Sequence, residues 1–157
     1  MQLQAPLPVQ PTPPAPRSSR SGEEHCPLPH AGKHALIIED DALNAEVLET
    51  LLGKYGVTAT TVATPDNLAD LLSSLDRLDA IFLDLKLGDL DGFDICHRIQ
   101  QIPQASRTPV VAYTVHLSQL ERARHEGFDG FLGKPLKQEW FEEQLNCILS
   151  GLPVWDA

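Results

Sequence analysis

From His34 onward, short apolar runs alternate with segments whose apolar residues recur at helical spacing, and this alternation constrains the fold more than any other feature. "HALIIE" (34–39), "VTATTVA" (57–63), "AIFLDL" (80–85), "PVVAYT" (109–114) and "GFLG" (130–133) read as five strands. Four of them are apolar enough to be buried on both faces. Between them, Leu43, Val47, Leu48, Leu51 and Leu52 are expected on one face of a first helix, and Leu68, Leu71, Leu72 and Leu75 on that of a second. Phe93, Cys96, Ile99 and Ile102 mark a third helix, 117–126 a short fourth, and Phe141, Leu145, Ile148 and Leu149 a fifth. Pro65 suits the first turn of the second helix, and Gly53 with Gly56 the end of the first. Strict alternation predicts an α/β fold, a doubly wound five-stranded parallel sheet with five helices on its two faces, because right-handed crossovers place them there. The Thr-rich second strand is the most polar, as an edge strand should be, which gives the order 2-1-3-4-5.

The first 33 residues hold eight of the thirteen prolines and cannot bury a core. They read as a polyproline-like tail, followed by a folded domain over 34–150 and a short tail over 151–157. His25, Cys26, His30 and His34 lack the spacing of a zinc site. A net charge of -10 argues against nucleic acid and anionic membranes as partners, both of which select basic surfaces. No apolar stretch approaches the roughly 18 residues of a membrane span, and the N-terminus lacks the pattern of a secretory signal. Three cysteines at wide spacing form no disulfide framework, so a reducing cytoplasm is expected.

In an open parallel sheet, ligands bind beyond the carboxyl ends of the strands. The first strand ends in Glu39, Asp40 and Asp41, the third in Asp84, the fourth in Thr114 and the fifth in Lys134. Singly these have plain structural readings, Asp41 as a helix N-cap and Thr114 as a strand former; their force lies in convergence at one rim. Crowded carboxylates repel one another unless a cation sits among them. Oxygen donors without His or Cys favour Mg²⁺, or Mn²⁺, over zinc. A carboxylate beside such an ion, with an ammonium and a hydroxyl near, is suited to accept a phosphoryl group and form an acyl phosphate.

"LIIEDDALN", "IFLDLKLGDLDGFDIC", "TPVVAYT" and "GFDGFLGKPL" together resemble the receiver domain of two-component response regulators, in order and spacing, from about Lys33 to Leu149. The resemblance implies the flavodoxin-like fold of the chemotaxis regulators, with Asp84 as phosphoacceptor. It implies Mg²⁺ held by Glu39, Asp40, Asp84 and the backbone carbonyl of Lys86, and Thr114 and Lys134 engaging the phosphoryl group. It further implies a cis peptide before Pro135, and Phe131 as an aromatic switch that turns inward when the threonine moves. A chain ending shortly after the fifth helix is expected to be a stand-alone regulator. Its phosphoryl donor would be a sensor histidine kinase or a histidine phosphotransfer protein. Output would be binding of a downstream protein through the face of the fourth helix, fifth strand and fifth helix, with Leu120, Arg124, Phe128 and Trp140 as candidates. Core packing or a homodimer through that face would account for the same apolar residues.

Departures qualify the resemblance. Gly88 replaces a common proline, Val115 a small residue beside the threonine, and Lys86 adds a cation two residues past the acceptor, so an altered autodephosphorylation rate is expected. Asp91 reads as an N-cap, Gly92 as a tight-turn residue and His116 as a surface residue. The competing readings are an adaptor that binds partners regardless of phosphorylation, whose usual sign is a lost site residue, and a Mg²⁺-dependent phosphatase with an aspartate nucleophile. The phosphatase needs a second acid where Lys86 stands. Apart from its own phosphotransfer and dephosphorylation, the leading reading is not an enzyme.

Overall fold

The computed structural model describes residues 28–157. The proline-rich run before them, with His25 and Cys26, lies outside the described residues. Strands β1 (His34–Ile38), β2 (Thr58–Val62) and β3 (Ala80–Leu83) are followed by a two-residue ribbon, β4 (Lys86–Leu87) and β5 (Leu90–Asp91). Strands β6 (Val110–Thr114), β7 (Gly130–Gly133) and β8 (Val154–Asp156) complete the set. The helices are α1 (Ala42–Lys54), α2 (Leu68–Ser74), α3 (Gly92–Gln100), α4 (Leu120–His125) and α5 (Gln138–Leu149). The main sheet is parallel throughout, in the order β2-β1-β3-β6-β7-β8. The expected five-strand order is therefore present, with polar β2 on one edge and an unforeseen sixth strand on the other. Among the described residues no helix is long and apolar enough to cross a membrane.

The alternation of side chains along the strands divides the core in two. Leu36, Ile38, Ile81, Leu83, Ala112 and Phe131 face α2, α3 and α4. Ala35, Ile37, Phe82, Val111 and Leu132 face α1 and α5. Burying each such Leu, Ile or Phe contributes about 1.5–3 kcal/mol, and a one-residue slip of any central strand would exchange its two faces.

Several expectations are corrected. Leu43 and Val47 are 69% and 42% exposed, and the inner stripe of α1 is Ala45, Leu48, Leu51 and Leu52. At about 100° per residue, Val47 lies about 100° and Leu43 about 140° around the helix from Leu48. Pro65 is buried ahead of α2, which begins only after Asn67 in the left-handed region at φ 51°. The expected fourth helix divides into a 3₁₀ turn, Leu117–Gln119, and α4. Phe128 belongs to the core, edge-on to Phe93 with ring centroids 5.7 Å apart. Residues 28–33, placed in the tail by composition, are fastened to the domain: the His30 N–H donates to Tyr55 O at 2.8 Å and the Thr58 N–H to Lys33 O at 3.0 Å. The 151–157 segment supplies β8.

Candidate functional site

β1 runs straight into Glu39, which is 2% exposed, and β3 into Asp84, 7% exposed. Asp40, next in the chain, is exposed. One carboxylate oxygen from each of Glu39, Asp40 and Asp84 lies within 4.8 Å of the others. The Asp41 carboxylate is not among them. Asp41 caps α1, its Oδ1 accepting from the N–H groups of Leu43 and Asn44, each at 3.0 Å, while its own N–H donates to Glu39 Oε1.

Lys134 enters from the end of β7, its side chain 5% exposed, and pairs with both Glu39 Oε2 and Asp84 Oδ2, the latter at 3.4 Å. Its Nζ also lies 4.6 Å from the ring centroid of Tyr113, a favourable position for a desolvated ammonium. The Lys134–Pro135 peptide is cis. Burial pushes the Glu39 carboxyl above its ordinary range and the Asp84 charge adds to this, against the opposing pull of Lys134 and the Asp41 N–H. Burial likewise raises the Tyr113 phenol, with Glu39, Asp84 and Asp41 adding to it, so Tyr113 stays a neutral donor to Asn44 O at 3.1 Å.

Thr114, fully buried at the end of β6, accepts the His116 N–H on Oγ1 at 3.2 Å, and its carbonyl accepts the Lys134 N–H at 2.9 Å. Lys86 is in β4, its N–H donating to Asp84 Oδ1 at 3.4 Å while its side chain is exposed. The loop beyond it is built on glycine for two separate reasons. Gly88 takes φ 57° and donates its N–H to Asp40 Oδ2 at 3.1 Å; a proline there could provide neither. Gly92 has no room for a side chain, since a Cβ would lie 2.4 Å from Asp84 O and 2.6 Å from Leu85 Cα. Asp91 caps α3 by accepting the Phe93 N–H at 2.9 Å.

Sequence reasoning thus named the three acids, the lysine and the threonine that the structure brings to one rim. It missed Tyr113 under the lysine and the Gly88 N–H on Asp40; a tyrosine near the end of an otherwise aliphatic strand was the available signal for the first. Val115, which follows Thr114, is 59% exposed. Phe131, expected to turn inward when the threonine moves, is wholly buried in this structure. His116 is exposed, as read, on the wall of an open cleft of about 480 Å³ that it shares with Lys86, Asp91, Phe93 and Arg122. His30 bonds to Asn146, and His34 to Thr58 and Thr60, in keeping with structural roles. Cys96 is no nucleophile: burial first, then Asp129 and Glu126, pushes its thiol up to about 12.

A family model described as the response regulator receiver domain matches residues 35–146. Hybrid signal transduction histidine kinase L of Dictyostelium discoideum is 30% identical over 134 residues, covering 81% of this chain and 8% of its own length. Stress response regulator protein 1 of Meyerozyma guilliermondii is 29% identical over 104 residues, 64% of this chain and 48% of the relative. The chain spans 8–14% of the length of three of its curated relatives, all histidine kinases. Among solved structures, the receiver domain of sensor histidine kinase PA1611 from Pseudomonas aeruginosa, with a magnesium ion coordinated in its active site cleft, superposes with TM-score 0.67 at 29% identity. That match covers 76% of this chain and 99% of the other. A CheY-like receiver domain from Methylobacillus flagellatus gives 0.65 at 29% identity, over 74% and 98% of the two chains. With its fold, its acidic rim and most of its folded length accounted for in this way, the chain belongs to the response regulator receiver family of two-component signalling.

Proposed function

We propose that this receiver accepts a phosphoryl group on Asp84 with the help of a divalent cation and signals through a change in protein binding. The observation that carries the reading is the charge balance of the rim, where three clustered carboxylates face one ammonium, Lys134. An all-oxygen donor set of this kind fits Mg²⁺, with Mn²⁺ as the substitute, held by Glu39, Asp40, Asp84 and the Lys86 carbonyl. When bound, the ion neutralises charge on the equatorial oxygens of the transferring group.

The chain's own residues do the rest. Asp84 is the nucleophile: one of its oxygens bonds to phosphorus as the P–N bond of a phosphohistidine donor breaks, and the imidazole leaves and takes up a proton. Lys134, held in place by Glu39 and Tyr113, sits where it neutralises the acyl phosphate. Thr114 gives up its contact with the His116 N–H to donate to a phosphoryl oxygen, and that exchange supplies the differential contact a two-state switch requires.

The donor in this reading is a sensor histidine kinase or a histidine phosphotransfer protein, in keeping with the kinase relatives. A reducing cytoplasm is part of it; Cys96 and Cys147 form no disulfide among the described residues. Output runs through the side of the domain formed by α4, β7 and α5, to a downstream protein or a second copy. Trp140 is 48% exposed there. Intact-protein mass after incubation with acetyl phosphate and Mg²⁺ tests the proposal. A labile gain of one phosphoryl group, absent with EDTA and in Asp84→Asn, is expected; a gain that persists in Asp84→Asn would overturn the assignment.

A further inference from the structure

β8 lies beyond residues 35–146, the span that matches the family. It pairs with β7 in parallel register, Gly130 with Val154, Phe131 with Trp155 and Leu132 with Asp156. Residues paired in register project to the same face, and Trp155 packs against the core cluster that contains Phe131. The Arg124 guanidinium of α4 lies 5.0 Å over the Trp155 ring. From α5, Gln144 Nε2 donates to Asp156 Oδ2 at 2.6 Å. The strand is therefore fastened to α4, β7 and α5 at once. Phe131, wholly buried beside it, has no free edge to turn toward; the aromatic residue at the edge of this sheet is Trp155, which is only half-buried.

The chain just past β8 and the segment that follows the threonine meet at one residue of β7, Gly133. A Cβ on Gly133 would lie 2.6 Å from Leu117 Cδ2 and 3.4 Å from the carbonyl carbon of Ala157, so Leu117 and the residue after β8 crowd the same glycine. Gly133 pairs in register with Thr114, and Leu117 follows Thr114 by three residues. A Thr114 hydroxyl that turns from the His116 N–H to a phosphoryl oxygen gives up a side-chain tie to the 114–117 segment on which this contact depends. The strap itself is weakly held: three half-buried residues, in parallel pairing at a sheet edge, reached through Gly151 at φ 77° and Pro153. Such short edge elements open at far lower cost than the domain unfolds.

We infer that β8 is a displaceable strap over the α4–β7–α5 side, and that phosphorylation acts by releasing Trp155 and baring the β7 edge, not by turning Phe131. The inference rests on the proposal that Asp84 accepts a phosphoryl group. Its test uses the full chain carrying Trp140→Phe, which leaves Trp155 as the sole indole of the two. After acetyl phosphate and Mg²⁺, intact mass and Trp155 fluorescence are read on the same sample. The expected result is a red-shifted emission and a roughly twofold rise in acrylamide quenching as the half-buried indole becomes exposed, in proportion to the phosphorylated fraction and reversing as the phosphoryl group is lost. A mass gain with unchanged emission overturns the strap and leaves the phosphoacceptor standing; no mass gain overturns both. Gln144→Ala, which removes the clasp on Asp156, is expected to raise quenching in the unmodified protein, and a value equal to the parent's would contradict a weakly held strap.

Discussion

Asp79, just before β3, and Asp84, just after it, are half-buried or buried acids at opposite ends of one strand, in opposite electrostatic company. Asp79 Oδ2 accepts from the His34 N–H at 2.8 Å and from Arg77 Nε at 2.7 Å, and Lys33 Nζ lies 3.8 Å from its other oxygen. Asp84 shares a single ammonium with Glu39 and has Asp40 beside it. The pKa shifts follow the same division. Burial would raise the Asp79 carboxyl, but Arg77, the His34 N–H and Lys33 outweigh it and hold it low. At the other end burial wins, and Glu39 is raised. The amino end of the sheet is electrostatically complete; the carboxyl end holds surplus negative charge that no other described residue neutralises, and the proposed cation site rests on that surplus.

The same substitution at the two ends should therefore act with opposite sign, and the sharpest break of the comparison comes from the loop that supports the acidic end. Gly92→Ala forces a Cβ into the Asp84 carbonyl and Leu85, and is expected to cost about 2–3 kcal/mol by overpacking and to slow phosphoryl uptake at least tenfold, as read by thermal melting and timed intact mass. Asp79→Asn should destabilise by about 1–2 kcal/mol through its weakened hold on the His34 N–H, leaving phosphoryl uptake unchanged. Asp84→Asn should do the reverse, stabilising by about 1 kcal/mol through relief of like-charge repulsion while abolishing uptake. Melting curves of these two variants that move in the same direction would refute the contrast.

The pH dependence sharpens it further. Because the folded-state pKa of Asp79 lies below its ordinary 3.8, its contribution is present above that value and is lost as pH falls through the depressed one. The stability gap between the parent and Asp79→Asn should accordingly narrow on acidification below about pH 4, in urea melts across an acid series; a constant gap would place the effect elsewhere. The smallest expected effect is that of Gly88→Pro, which restores a residue common in the family but removes the N–H on Asp40 and cannot reach φ 57°. Mg²⁺ affinity should fall severalfold, measured by calorimetric titration.

What the sequence revealed and what it concealed divide along a physical line. Features set by local chemistry were readable: buried strands as apolar runs, Asp41 and Asp91 as caps, and the site acids because they stand within two residues of the ends of β1 and β3. Features set by contacts between distant segments were not. Leu43 and Val47 share helical spacing with the true inner stripe of α1, and only the sheet decides which row faces inward. β8 is three residues long, too short for any period, and forms only because the β7 edge, α4 and α5 are there to receive Trp155. Phe128 and Phe131 look like exposed or mobile aromatics until that strand and the Phe93 ring are in place around them. Tyr113 gains its role only from Lys134, which folds over it from another strand.

The most direct test of the surplus-charge account is the thermal midpoint of the full chain with and without Mg²⁺, for the parent, Asp84→Asn and Asp79→Asn. The account predicts that Mg²⁺ raises the midpoint of the parent and of Asp79→Asn by similar amounts and leaves Asp84→Asn nearly unmoved. An equal rise in Asp84→Asn, or none in the parent at millimolar Mg²⁺, would contradict it.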